Sequence, residues 1–125
     1  MQLIVVDDEK DIQFLFQQKF RKEIKSGEVQ ILYAFDGHAA LNLLESLENR
    51  FHYLILSDIN MPEMTGIELL KEIKLRYPLI KVIMITAYGD DNNFNLAKKL
   101  GAEDYFTKPL EFNVLKEKLK ALTEF

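Results

Sequence analysis

Residues 53–66 read YLILSDINMPEMTG, and this stretch decides the fold class. It begins with the apolar run Tyr53–Leu56, which is typical of a strand buried on both faces of a parallel sheet. A carboxylate, Asp58, ends the run, and Pro62 then disfavours helical backbone at the residue before it. The chain should therefore leave Asp58 as an extended loop, and Gly66 permits a tight turn into the helix that follows.

The rest of the chain repeats this alternation of short apolar runs with longer amphipathic segments. Three further runs and one weaker run are typical of strands, at residues 3–6, 29–33, 81–85 and 104–106. Apolar residues at helical spacing predict helices around residues 12–24, 40–47, 67–77, 94–100 and 115–122. Helix boundaries are marked by Ser26-Gly27, Asp36-Gly37, Pro78 and Gly101. Five β-α repeats predict one α/β domain over residues 1–125, a doubly wound parallel sheet covered by helices on both faces.

Composition narrows the classes of function. The chain has 125 residues and a net charge of −4, from 16 basic and 20 acidic side chains, which argues against direct nucleic-acid binding. It contains no cysteine, so disulfides and thiolate metal sites are excluded. The N-terminal apolar run is too short for a signal peptide, and no stretch approaches the length of a membrane span. We expect a cytoplasmic protein that does not act at a membrane.

Polar residues follow each central strand, where ligands bind in open parallel sheets. Asp7 and Asp8 follow the first strand, Asp58 the third, Thr86 the fourth and Lys108 the fifth. Because the carboxyl ends of parallel strands share one edge, three carboxylates, a hydroxyl and an ammonium should converge there. Asp7 and Asp8 taken alone would be explained as caps of the next helix.

Bringing Asp58 close to Asp7 and Asp8 must raise the pKa of at least one carboxyl or require a cation. Mg²⁺ suits such a cluster because it is a hard ion that binds one or two carboxylates and keeps several waters. The backbone carbonyl of Asn60 could supply another oxygen. These residues predict a site for Mg²⁺, with Mn²⁺ as an alternative.

A carboxylate such as Asp58 can attack phosphorus and form an acyl phosphate. The protein then has to neutralise the charge on the phosphoryl oxygens. The cation could take one oxygen, Lys108 another, and Thr86 with the Ala87 amide the third. Lys108 precedes Pro109, and an X-Pro bond can be cis at modest cost. Each residue has a plain explanation as a surface or strand-end residue, but together they favour phosphoryl chemistry.

These residues resemble the receiver domains of bacterial two-component response regulators, the CheY-like family. The resemblance covers the whole chain and is carried by residues 5–9, 57–66, 85–87 and 101–109. It implies a flavodoxin-like (βα)5 fold with strand order 2-1-3-4-5. It also implies that Asp58 is the phosphoacceptor, and that Asp7, Asp8, Asp58 and the Asn60 carbonyl bind Mg²⁺.

The resemblance further implies that Thr86 and Tyr105 form a switch and that Lys108, ahead of a cis Pro109, contacts the phosphate. The phosphodonor would be a sensor histidine kinase or a phosphotransfer protein. Tyr88 is expected to shield the phosphoryl group from water and slow its loss. Such a domain catalyses its own phosphorylation and slow dephosphorylation, and is not otherwise an enzyme.

The state of the site should be read by a protein target on the face made by the fourth predicted helix, the fifth strand and the fifth helix. Exposed residues expected on this face, about 91 to 122, are Asn92, Asn95, Lys98, Lys99 and Lys116. The chain is expected to be a monomer or a weak, phosphorylation-dependent dimer. Either a stand-alone regulator or one domain of a longer chain fits the sequence.

Three other functions agree less well with these residues. A flavin carrier needs a Ser, Thr and Gly phosphate cradle after the first strand, where this chain has repelling carboxylates. An aspartyl phosphohydrolase of the haloacid-dehalogenase type carries its nucleophile on the first strand within Asp-x-Asp, whereas Asp7 and Asp8 are adjacent. A degenerate receiver that binds partners without phosphorylation would not need the full set of site residues.

Overall fold

A computed structural model describes residues 1–87 and 91–123 of the chain. Its strands are β1 (Gln2–Val6), β2 (Gln30–Ala34), β3 (Tyr53–Asp58), β4 (Val82–Thr86) and β5 (Asp104–Thr107). Its helices are α1 (Asp11–Lys19), α2 (Arg21–Ser26), α3 (Gly37–Ser46), α4 (Gly66–Arg76), α5 (Asp91–Lys99) and α6 (Phe112–Thr123), with a 3-10 turn at Arg50–His52. None of the described helices has the length and apolar character that a membrane span requires.

The strands form one parallel sheet in the order β2-β1-β3-β4-β5, which confirms the predicted topology. The pairing of Val6 with Ser57 and of Asp58 with Ile85 brings the carboxyl ends of β1, β3 and β4 to the same edge. The three central strands are buried, whereas the edge strands β2 and β5 are only partly covered.

Alternate residues of the central strands enter two separate cores, as expected for a sheet with helices on both faces. Ile4, Ile55 and Met84 pack on one face with apolar residues of α3, α4 and α5. Leu3, Leu56 and Ile83 pack on the other with residues of α1 and α6. At roughly 25 cal/mol per Å² of apolar surface, these two cores supply the main stabilisation of the fold.

The first predicted helix is not continuous. The backbone dihedrals of Phe20 leave the helical region, with φ −101° and ψ 15°, and the helix is divided there into α1 and α2. The Phe20 ring is buried against Phe16 and Phe112, at centroid distances of 5.8 and 6.2 Å. The break coincides with this aromatic packing, a tertiary contact that helical periodicity does not report.

The predicted helix boundaries agree with local hydrogen bonds. The Asp36 carboxylate accepts a hydrogen bond from the Ala39 amide at 2.7 Å and caps α3. Thr65 and Glu68 form a reciprocal capping box at the start of α4. At the end of α2, Gly27 has a φ of 82°, a left-handed conformation that glycine adopts without steric cost.

Candidate functional site

The carboxylates of Asp7, Asp8 and Asp58 lie together at the carboxyl edge of the sheet. One oxygen from each lies within 4.8 Å of the others. Asp7 and Asp58 are buried, whereas Asp8 is exposed. The structure therefore confirms that the ends of β1 and β3 bring these three side chains to one place, open to solvent on the side of Asp8.

Asp7 uses its two carboxylate oxygens differently. One accepts a hydrogen bond from the Glu9 amide at 2.9 Å, which holds the backbone that leads into α1. The other accepts a hydrogen bond from the Lys108 ammonium at 3.0 Å. Asp7 thus stabilises the chain ahead of α1, as its sequence position suggested, and also belongs to the acidic cluster.

Asp58 ends β3 in surroundings that, on balance, disfavour its ionised form. Burial, followed by the charge of Asp7, raises the pKa of Asp58 to about 6, against the attraction of the Lys108 ammonium. A backbone hydrogen bond from Ile59 also opposes this rise, and Asp8 adds to it. The raised pKa of Asp58 agrees with the expectation that the cluster either raises the pKa of one carboxyl or requires a cation, and Asp58 is the expected phosphoacceptor.

Lys108 crosses from the end of β5 to the acidic cluster. Its ammonium lies 3.0 Å from an Asp7 oxygen and 3.6 Å from an Asp58 oxygen. Burial disfavours the charged ammonium, but the Asp7 hydrogen bond and the charges of Asp58 and Asp7 outweigh it and raise the pKa of Lys108. The Lys108-Pro109 peptide bond is cis, as the family resemblance implied.

Thr86 ends β4 and is completely buried. Within the described part of the chain, its hydroxyl oxygen has no hydrogen-bond partner. A buried hydroxyl without a partner costs roughly 1–3 kcal/mol, so its retention at a site needs a reason. A ligand oxygen at the sheet edge would supply the missing partner.

Tyr105 lies on β5, paired with Met84, and is half-buried. Because Thr86 and Met84 are two residues apart on one strand, Thr86 and Tyr105 lie on the same face of the sheet. The Tyr105 ring packs edge to face against Phe94 of α5 at a centroid distance of 5.0 Å. Tyr105 therefore connects the Thr86 side of the sheet with α5.

The loop after Asp58 alternates buried and exposed residues. Ile59 and Met61 are buried, and Asn60 is exposed between them, two residues after Asp58. The Gly66 amide donates to the Ile59 carbonyl at 2.8 Å, and a Cβ at Gly66 would collide with the Asp58 backbone. Gly66 is therefore required by this close approach, beyond the turn that its sequence position predicted.

Two contacts at the site were not anticipated from the sequence. The completely buried Ser57 hydroxyl donates to the Asp58 carbonyl at 2.9 Å. The ion pair between Lys108 and Asp7 joins residues 101 positions apart. A hydroxyl at the end of an apolar run is a signal for the first contact, whereas no local pattern reports the second.

Four of the five residues expected to be exposed on the face made by α5, β5 and α6, here called the output face, are exposed. Asn92, Asn95, Lys98 and Lys99 on α5 are exposed, as predicted. Lys116 is not: its ammonium donates to the Lys19 carbonyl at 2.7 Å and pairs with Glu23 at 2.7 Å. The expectation for Lys116 was wrong because α6 turns this side chain toward α1 and α2. Tyr88 lies outside the described residues.

Comparison with known proteins yields a family match over nearly the whole chain. The family model described as the response regulator receiver domain matches residues 3–120. A solved response regulator receiver domain protein from Clostridium thermocellum superimposes with a TM-score of 0.86 at 27% identity, covering 98% of this chain and 93% of that one.

Two curated relatives differ greatly in length. Sporulation initiation phosphotransferase F of Bacillus subtilis is 33% identical over 118 residues, which cover 94% of this chain and 90% of the relative. Transcriptional regulatory protein ZraR of Salmonella typhimurium is 35% identical over 118 residues, which cover 94% of this chain but 25% of the relative. The chain thus spans nearly all of one relative and a quarter of the other.

Proposed function

The chain belongs to the receiver domains of two-component response regulators, and on that premise we propose that Asp58 is its phosphoacceptor. The observation that carries the proposal is the meeting of three carboxylates and the Lys108 ammonium at the edge of the sheet where β4 ends in Thr86. The Thr86 hydroxyl has no hydrogen-bond partner in the part of the chain that the structure describes. We also propose that residues 1–125 form one receiver domain and that it functions in the cytoplasm.

We propose that Asp7, Asp8, Asp58 and the Asn60 backbone carbonyl hold Mg²⁺, with Mn²⁺ as an alternative. The donor set fits, because it offers only hard oxygen ligands and carries more negative charge than Lys108 can balance. A bound ion would neutralise charge on the phosphoryl oxygens. Asp8, which is exposed, leaves a side of the cluster accessible to water and to the donor.

The reaction would transfer a phosphoryl group from a phosphohistidine. An Asp58 oxygen forms a bond to phosphorus while the bond from phosphorus to the histidine nitrogen breaks, and its electron pair leaves with the imidazole. Lys108, now 3.6 Å from an Asp58 oxygen, would donate to one phosphoryl oxygen. The Thr86 hydroxyl and the Ala87 amide would donate to another.

The donor would be a sensor histidine kinase or a phosphotransfer protein. The relative from Bacillus subtilis, named a phosphotransferase, supports transfer between proteins as the type of reaction. Beyond its own phosphorylation and slow dephosphorylation, the domain would not act as an enzyme. Because the chain spans a quarter of ZraR, nothing about transcription is carried over from that relative, and no direct nucleic-acid contact is proposed.

Phosphorylation adds roughly two negative charges, and it can shift a conformation only through contacts that differ between two states. Thr86 would supply such a difference, because its hydroxyl has no partner among the described residues and a phosphoryl oxygen would provide one. Tyr105 and Phe94 would transmit the change to the face made by α5, β5 and α6, where a target protein or a second phosphorylated copy binds.

The decisive experiment uses Mg²⁺ with acetyl phosphate. We expect the wild-type chain to gain the mass of one phosphoryl group, and Asp58→Asn to gain none. Glu63→Gln, which removes an exposed acid from the same loop, is the control and should be phosphorylated normally. An unmodified wild-type chain would refute the proposal and favour a phosphorylation-independent interaction domain. Phosphate on another residue would refute the assignment of Asp58 as the phosphoacceptor.

A further inference from the structure

The loop of residues 59–65, which includes Asn60, packs against Gly37, the first residue of α3. Met64 lies near the end of this loop, and Gly37 begins α3 directly after its cap, Asp36. A Cβ placed on Gly37 would lie 2.6 Å from the Met64 sulfur, 2.9 Å from its Cγ and 3.0 Å from its Cβ. The separations from the sulfur and Cγ are shorter than real Cβ contacts and the one from Cβ is tight, so a side chain at Gly37 would force Met64 to move.

Rotation of the Met64 side chain would remove the two shortest separations, to its sulfur and Cγ, but not the 3.0 Å separation from its Cβ. The Cβ moves only with the backbone of residue 64, which would have to shift by a few tenths of an ångström. That backbone is already confined: the Met64 amide donates to the Pro62 carbonyl at 2.8 Å, and Glu63 has a φ of 67°. Displacing Met64 would therefore displace the loop.

The opposite end of the same loop is the acidic cluster. Asp58 and Gly66 are held together by the hydrogen bond from the Gly66 amide to the Ile59 carbonyl and by the close approach of the two backbones. Between these anchors, Asn60, Pro62 and Glu63 are exposed, and Ile59, Met61 and Met64 make the apolar contacts of the loop. Asn60 is held on one side by buried Ile59, whose amide donates to the Ile85 carbonyl at 3.0 Å, and on the other by the packing of Met61 and Met64.

We propose that the Gly37–Met64 contact is a positioning element for the metal site, acting through the backbone of residues 59–65. Gly37 begins α3, a helix that contributes none of the three carboxylates. It allows the loop to lie close to α3, and this fixes where the Asn60 carbonyl is presented. The inference rests on the proposed metal site at Asp7, Asp8 and Asp58.

The test is a Mg²⁺ titration of the full chain followed by amide NMR. Gly37→Ala should weaken Mg²⁺ binding by roughly tenfold, the scale seen when residues that orient metal ligands are changed. In the metal-free protein, its amide shifts should change in the loop of residues 59–66 and in the first turn of α3. His38→Ala, an exposed change in that turn, is the matched control and should bind Mg²⁺ like the wild type.

A double-mutant cycle shows whether the effect passes through Met64. Met64→Ala alone should weaken Mg²⁺ binding several-fold. In Met64→Gly, which removes the Cβ as well as the Cγ and the sulfur, adding Gly37→Ala should cause no further loss, because the collision is gone. Additive losses, or unchanged binding in Gly37→Ala, would overturn the inference. If Gly37→Ala does not fold, wild-type affinity in Met64→Ala overturns it instead.

The Mg²⁺ titration distinguishes an error in the proposed metal site from an error in the positioning role of Gly37. If the wild-type chain shows no Mg²⁺-dependent shifts at Asp7, Asp8 and Asp58, the proposed metal site is wrong and the positioning role falls with it. If the wild type binds Mg²⁺ and Gly37→Ala binds equally well, only the positioning role is wrong.

Discussion

Replacing Asp58 with asparagine should make the metal-free protein more stable. Burial and the neighbouring carboxylate raise the pKa of Asp58 from 3.8 to about 6, so the folded chain disfavours its ionised form. This shift corresponds to an upper limit of about 3 kcal/mol at neutral pH, since one pKa unit is about 1.4 kcal/mol. Because asparagine also deprives Lys108 of an anionic partner, we expect a net gain of about 1–2 kcal/mol.

The pH dependence of this gain has a definite sign. Folded Asp58 keeps its proton to a higher pH than the unfolded chain does, so folding takes up a proton between about pH 4 and pH 6. The contribution of Asp58 to stability therefore falls as the pH rises through this window. The advantage of the asparagine variant should be near zero below about pH 4, grow across the window, and stay constant above it.

Urea unfolding in the presence of EDTA, followed by circular dichroism at several pH values, measures this difference. Asp8→Asn, which removes the same charge from an exposed side chain, is the control and should change stability by less than about 0.5 kcal/mol. An Asp58→Asn variant that is no more stable than wild type at neutral pH would refute the reasoning. So would a stability gain that does not vary with pH.

Three further outcomes are expected at the site. Lys108→Met should raise the pKa of Asp58 above about 6, because it removes the nearby cation. A carboxyl ¹³C NMR titration would measure this pKa, and an unchanged or lower value would contradict the contact between Lys108 and Asp58. Thr86→Val should leave metal-free stability unchanged or raise it by about 1 kcal/mol in urea unfolding, since the lost hydroxyl has no described partner; a clear loss would reveal a hidden hydrogen bond. Phe94→Ala should lower the free energy of unfolding by about 1 kcal/mol in urea unfolding and shift the NMR resonances of the Tyr105 ring. Asn95→Ala, an exposed change on α5, is the control. Unshifted resonances would exclude Phe94 as the contact that joins Tyr105 to α5.

Much of the site was predictable because parallel strands impose a simple rule. Once the β-α repeats were identified, the ends of β1, β3, β4 and β5 had to share an edge, and the polar residues there were candidates for one site. Asp7, Asp8, Asp58, Thr86 and Lys108 all followed from this rule. The role of Gly66 could be predicted only in part: a turn was expected, but its close approach to the Asp58 backbone was not.

Other features depend on packing between segments that are distant in sequence. The break at Phe20 accompanies stacking against Phe16 and Phe112, which helical periodicity cannot distinguish from ordinary burial. Lys116 was expected on the exposed output face, yet it pairs with Glu23 of α2. Periodicity reports which side of a helix is apolar, but it does not report which neighbour a charged residue at the boundary will meet.

By itself, the order of residues determined the alternating elements, the parallel sheet and the set of polar groups at its carboxyl edge, because strand and helix periodicities are local properties. Only the tertiary structure decided that Lys108 bonds to Asp7, that the pKa of Asp58 rises to about 6, and that the Thr86 hydroxyl lacks a described partner. Hydrogen bonds and desolvation depend on ångström-scale distances between separate segments, and those distances exist only once the two cores have packed.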